Sequence, residues 1–394
     1  MSWADICKNE LRAVFTNQAI LLTVFGGVLL YSFLYPLPYT KQIPRDQHVV
    51  VVNLDGSQLS RRLERMVDAT PQVQLSSRAY SIEEAQQIFI DEKMAGILVI
   101  PENFYRDLLQ GRRPTLSFAG DASYFLVYGT VLEGLASSGQ TLAAKVKILR
   151  MVMSGQALAL AAEHYSAVKL NSQPVFNPTM GYVNYVIPAV FILILHQTLI
   201  MGAGILGGGQ NEQRLSVGKD YWLEADPWKL LLVRSSLFVA IYWLLCMYYF
   251  GFSFSFYNIP HLADFSELNL LILPFLLATT FLGISLGLLL PRRELATLLV
   301  LLSSMPLIFA SGFIWPASAI PDQFTAVIQF IPVIPAIKAF IGLNQMGAEF
   351  SSILPLWKQL WLCAAIYGCI AWLLLRRKVF SCRFSSASLP SQPI

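Results

Sequence analysis

Hydrophobic positions along the chain fall into blocks. Ala19 to Leu37 is a first apolar run, a long polar stretch follows, and from Tyr182 to Leu375 apolar runs succeed one another with short breaks. A helix of about 20 apolar residues crosses a bilayer core of roughly 30 Å. The pattern therefore predicts six transmembrane helices, near 19–37, 182–206, 231–255, 269–290, 296–315 and 357–375. Ahead of them, Trp3, Cys7, Leu11 and Val14 recur at helical spacing, with Asp5, Lys8, Asn9 and Arg12 elsewhere. Residues 1–18 thus read either as an amphipathic helix lying in the membrane interface or as a helical extension of the first span.

The polar block, 38–181, changes period. Val49-Val50-Val51-Val52 is a short buried strand closed by the turn signal Asn53-Leu54-Asp55-Gly56. Ser57 caps a helix through Val67, and Val73 to Leu75 forms a second strand. Ser81 and Glu84 make a capping box, Gly96 to Ile100 is a strand stopped by Pro101, and Phe104 to Leu109 is a short helix before a strand at Thr115 to Phe118. Strands alternating with helices predict a small mixed sheet. From Tyr124 to Leu170 apolar residues recur every three or four positions, a helix or broken helical hairpin with candidate breaks at Ser137-Ser138-Gly139 and Ser154-Gly155. The expected fold class is a polytopic α-helical membrane protein of six transmembrane helices, with an α/β extracytoplasmic domain inserted between helices 1 and 2.

Composition agrees: 55% of the 394 residues are hydrophobic and 13% charged, with a mean hydropathy of +0.54. A net charge of +4 is too small, and too concentrated in short loops, to argue for nucleic acid. The first run is longer than a signal-peptide core and lacks a small-x-small cleavage site, so it is expected to remain. None of the five cysteines lies in the polar block, which must fold without disulfides. Charge sets orientation. Lys8 and Arg12, then Arg214, Lys219 and Lys229, then Arg292 and Arg293, then Arg376, Arg377, Lys378 and Arg383 all fall on one side of the predicted spans. The loop from Phe256 to Leu268 on the other side has neither lysine nor arginine. The bias puts both termini and a tail at 376–394 in the cytoplasm, and the polar block outside.

Candidate chemistry is sparse. Gly202-Ala203-Gly204-Ile205-Leu206-Gly207 spells a dinucleotide fingerprint and Gly283-Ile284-Ser285-Leu286-Gly287 a hydrolase elbow, but both lie in apolar helices without a preceding strand. Gly283 and Gly287 read better as small residues for close helix packing. Gly218-Lys219 is no phosphate loop, because Gln213 and Asp220 stand where glycine and Ser or Thr are required. The chain is thus expected to be no enzyme and to hold no cofactor or metal. His196, near the middle of the second span, is a candidate intramembrane polar site, against the plainer reading of a neutral ring hydrogen-bonded to a neighbouring helix. Lys338, in an apolar stretch, is explained by snorkelling.

One span, an external domain, five more spans and a cytoplasmic loop after the second resemble the permease subunits of ABC transporters of the type-2 exporter class, over nearly the whole chain. The likeness is to bacterial multidrug-efflux-type permeases with a large periplasmic domain. It is carried by Val49 to Ser57 and by the phrases Ala95-Gly96-Ile97-Leu98-Val99-Ile100-Pro101 and Gly120-Asp121-Ala122-Ser123-Tyr124. The resemblance implies residence in the inner membrane and a re-entrant segment at about 316–356. It implies a second permease chain (the same or a different one), an ABC ATPase subunit holding ATP and Mg, an amphipathic, drug-like or lipid-like substrate, and room for a periplasmic adaptor protein. It also implies an ATPase-coupling element after the second span, where this chain has Glu212, Arg214, Lys219 and Asp220 but lacks the second acid and threonine of the family's usual pattern. A membrane-anchored receptor whose external domain binds a ligand or partner is the alternative.

Overall fold

The structure is a computed structural model describing residues 1–40, 43–164, 174–178, 180–217 and 220–387. The chain forms two compact units, Met1–Thr40 with Pro174–Ile394, and Lys41–Gln173.

In the first unit, helix α1 (Trp3–Phe15) opens on a capping box in which Ser2 and Asp5 satisfy each other's backbone donors. It is separate from the first span, α2 (Gln18–Tyr39). Thr16 caps the end of α1, and the Asn17 side chain accepts from Ala19 N at 3.0 Å and Ile20 N at 3.3 Å to begin anew. The extension reading is thereby set aside. Ile6, Glu10 and Val14 form the buried face of α1, whereas Trp3, Cys7 and Leu11 are exposed. The helix is therefore sided differently from the simple apolar stripe, with a carboxylate in its buried row.

The second unit is a four-stranded sheet in the order β2-β1-β3-β4, from β1 (Gln47–Asn53), β2 (Val73–Ala79), β3 (Gly96–Ile100) and β4 (Ser117–Gly120). β1 runs parallel to β2 and β3, and β4 is antiparallel to β3. The valine run is buried on both faces, as a central parallel strand requires. Val49 and Val51 pack with Leu63, Val67 and Val131, while Val50 and Val52 pack with Ala79, Ala85 and Ile97. The helices are α3 (Gln58–Asp68), α4 (Ile82–Asp91), α5 (Phe104–Leu109), α6 (Phe125–Met153) and α7 (Leu158–His164). Glu84 accepts from Tyr80 N at 2.7 Å, not from Ser81 N, so the predicted box closes one residue early. The last strand begins two residues later than expected. The long helical segment breaks at Ser154-Gly155, where Gly155 takes φ +96°, while Ser137-Ser138-Gly139 stay inside α6.

The first unit resumes with α8 (Tyr182–Val217), α9 (Tyr221–Glu224), α10 (Pro227–Phe256) and α11 (Phe265–Leu289). It continues with α12 (Glu294–Ala310), α13 (Asp322–Ile328), α14 (Val333–Gln345) and α15 (Phe350–Ala387). Among the described residues five helices (α2, α8, α10, α11 and α15) are each long and apolar enough to cross a membrane. The chain is a polytopic helical membrane protein. The fifth predicted span is only the 17-residue α12, which stops where Gly312 enters the left-handed region at φ +88°. A count of six arises if α13 and α14, bent by 95°, are one broken span. Two helices outrun the apolar runs that predict them. Helix α8 runs eleven residues past the predicted end at 206, and α15 carries the expected tail as helix to Ala387. Backbone hydrogen bonding continues a helix beyond the apolar window that hydropathy detects.

Candidate functional site

Four side chains meet in the interior where α1 packs on α10. Arg234 of α10 grips Glu10 of α1 with two bonds, Nε to Oε2 at 2.9 Å and Nη2 to Oε1 at 2.6 Å. The Tyr221 hydroxyl of α9 donates to Glu10 Oε1 at 2.8 Å, and Gln210 of α8 accepts from Arg234 Nη2 at 2.9 Å. Gln210 closes the ring by donating to Tyr221 Oη at 3.0 Å. Glu10 and Arg234 are 0% and 2% exposed. A buried ion pair holds together only when its geometry is good and its remaining donors and acceptors are filled. Burial pushes the Tyr221 phenol up, and the Glu10 charge adds to this, so the hydroxyl remains a neutral donor. At the rim, Trp3 and Trp228 meet edge to face at 5.2 Å, with the Lys229 ammonium 5.9 and 5.8 Å from their ring centres.

Beside this cluster opens a polar cleft of about 830 Å³, lined among others by Asn17, Gln18, Gln210, Glu212, Asp220, Tyr221 and Arg293. The structure thus brings Glu212 and Asp220 to one cleft. Glu212 is exposed and lies 4.0 Å from Arg293 Nε. Asp220 accepts from Tyr221 N at 2.7 Å and so caps α9. Arg214 lies half-buried on the last turn of α8, and Lys219 is outside the described residues. The chain does not turn at the glycines before these residues. Gly207, Gly208 and Gly209 remain in α8, because the first two serve close approach. A Cβ on Gly207 would lie 2.8 Å from the Gly287 backbone, and one on Gly208 would lie 2.9 Å from Arg292 O.

The same seam contains the other predicted glycines. A Cβ on Gly283 would stand 2.9 Å from Ala203 Cβ, and one on Gly287 would stand 2.9 Å from Ala203 O. Asn211 staples the seam's end. Its Nδ2 donates to Gly287 O at 2.9 Å and Leu290 O at 2.6 Å, and its Oδ1 accepts from Lys378 Nζ at 2.6 Å. These bonds fill carbonyls that the end of α11 leaves without helical partners. His196 sits in the middle of α8, 1% exposed, with its ring 6.4 Å from Phe275. Among the described residues neither ring nitrogen has a hydrogen-bond partner, so the hydrogen-bonded reading finds no support there.

Glu10, Gln210, Tyr221 and Arg234 were not singled out by sequence. One signal was available: Arg234 interrupts a predicted apolar span, and a cation there needs a partner. Which acid answers it is a matter of packing. Among the described residues no group of three or more His, Cys, Asp or Glu could hold a metal ion.

Five helices of membrane length in one chain define a multi-pass membrane protein. Residues 19–373 match the profile of the ABC-2 family transporter proteins. The chain belongs to that family and is a permease component of an ABC transporter. No curated protein matches it.

Proposed function

We propose that this chain is the membrane half of an ATP-driven exporter in the bacterial inner membrane. Two permease chains pair around a translocation path for an amphipathic, drug-like or lipid-like substrate. Separate ATPase subunits bind ATP and Mg and dock on the cytoplasmic face at the polar cleft. The observation that carries this reading is the ring of Glu10, Arg234, Tyr221 and Gln210 beneath that cleft. It joins α1, α8, α9 and α10, so force applied to the exposed Glu212 side of the cleft moves four helices together. Pulling one partner away would strand a buried charge, which favours rigid rocking over local yielding. ATP binding by the partner biases an inward-open against an outward-open state, and the permease supplies the two states. On this reading both termini are cytoplasmic, residues 41–178 are periplasmic, and a periplasmic adaptor protein has a surface to meet.

Affinity purification in mild detergent tests the proposal. An ATPase subunit encoded beside this chain should co-purify with it, and should be lost when Glu212 is changed to Lys. Purification of the chain alone from cells expressing both would refute it. A periplasm-only reporter enzyme fused near Gly111 should be active, and inactivity there would reverse the orientation.

A further inference from the structure

At the end of α8 remote from the polar cleft, the packing leaves a cavity of about 400 Å³. Tyr185 of α8, Phe313 beyond α12, and Ile337, Ile341 and Gly342 of α14 line it, and its surface is predominantly apolar. The volume lies in the range of small-molecule pockets, roughly 300–1,000 Å³. Two backbone features shape the walls. Gly312, in the left-handed region at φ +88°, turns the chain out of α12, and Ile341–Gln345 widens into a π-helical turn.

Lys338 stands in the same lining. From Val333 to Phe340 every residue except Lys338 is buried. It is the one charged residue among the described lining residues, no acid stands with it there, and it joins no ion pair among the described residues. Snorkelling accounts for a lysine reaching water along an apolar wall. It does not account for an open apolar pocket left beside the stem. An apolar chamber with a single cation at its edge matches a molecule with an apolar body and one acidic head.

We propose that this cavity binds an anionic amphiphile, with its apolar body among Tyr185, Phe313, Ile337 and Ile341 and its carboxylate or phosphate on Lys338. The assignment goes beyond export, since it concerns binding by the permease alone.

The test uses the full-length chain in phosphatidylcholine nanodiscs, titrated with a dansyl-labelled fatty acid and with its uncharged amide, against empty nanodiscs. The acid should bind saturably and about tenfold more tightly than the amide, the factor that a charge-assisted contact of about 1.4 kcal/mol supplies. Lys338→Gln should bring the acid to the amide's affinity, while Lys338→Arg keeps it. Ile341→Trp, at a half-buried lining position, should fill the cavity and weaken both probes. Should that variant fail to fold, the acid–amide comparison and the exposed Lys338 variants still decide. Equal affinity for acid and amide, or an unchanged affinity for the acid in Lys338→Gln, overturns the proposal. Displacement of the probe by lysophosphatidic acid but not by a short fatty acid supports it with a lipid headgroup as the source of the anion. The reverse supports it with a free carboxylate.

Discussion

The two ends of α8 treat polarity in opposite ways. At the Gln210 end, an acid, a guanidinium, a phenol and an amide are buried and each finds partners in the others. At the Tyr185 end, the wall is apolar, space is left open, and the one cation among the described lining residues makes no ion pair among the described residues. A satisfied polar ring in a low-dielectric interior is costly to separate, so it fixes how helices sit against one another. An apolar chamber with an unanswered charge has nothing to lose by admitting a guest. One helix thus has one end suited to holding its neighbours and one suited to binding.

The comparison is broken most severely by removing half of the buried pair. Arg234→Ala or Glu10→Ala should each destabilise the detergent-solubilised protein by about 3–5 kcal/mol, the cost of a stranded buried charge. The double variant Glu10→Gln, Arg234→Met should recover much of that loss in a thermal melt. Tyr221→Phe keeps the pair but removes the donor to Glu10, and should cost about 1.5–3 kcal/mol. An unchanged melt would mean that the ring does not hold the helices.

Two glycines sharpen the contrast between packed and open parts of α8's surroundings. Gly287→Ala places a Cβ 2.9 Å from the Ala203 carbonyl oxygen, a main-chain atom that cannot swing away. It should destabilise by about 1–3 kcal/mol. Gly209→Ala meets nothing within 4 Å in the same helix as the crowded Gly207, and should be neutral or stabilise by up to about 1 kcal/mol. Equal effects in the two variants would deny that the seam is packed as tightly as it stands here.

The smallest effect on stability belongs to the cleft. Glu212→Lys, at an exposed lining position, should move the melt by no more than about 0.5 kcal/mol, and Arg214→Glu on the last turn of α8 is made beside it as a separate single variant. Each should nonetheless abolish export and transport-stimulated ATPase activity with normal abundance in the membrane. Full export in both would remove this end of α8 from coupling.

Much of the α/β unit was legible because its signals are local. The four valines, the Asn53-to-Gly56 turn, and Ser57 and Ser81 as caps specify strand, turn and helix starts within a few residues of themselves. The turn also shows its mechanism, since the Asn53 side chain accepts from Gly56 N at 2.9 Å. The candidate site was legible only in outline. Glu212 and Asp220 are placed on one cleft, but the glycines before them pack instead of turning, and the ring beneath was not foreseen. Apolar length locates a span; it does not say that the helix will continue past the apolar window, as α8 and α15 do.

The sequence by itself determined the class of the protein, the positions of its five membrane-length helices and the inserted sheet, because burial length and hydrophobic period belong to each segment alone. Only the tertiary structure decided that Glu10 meets Arg234 across 224 positions, that Gly207 faces Gly287, and that Lys338 stands on the wall of a cavity. Those pairings depend on which faces of distant helices come together, and helical period fixes a face without naming its partner.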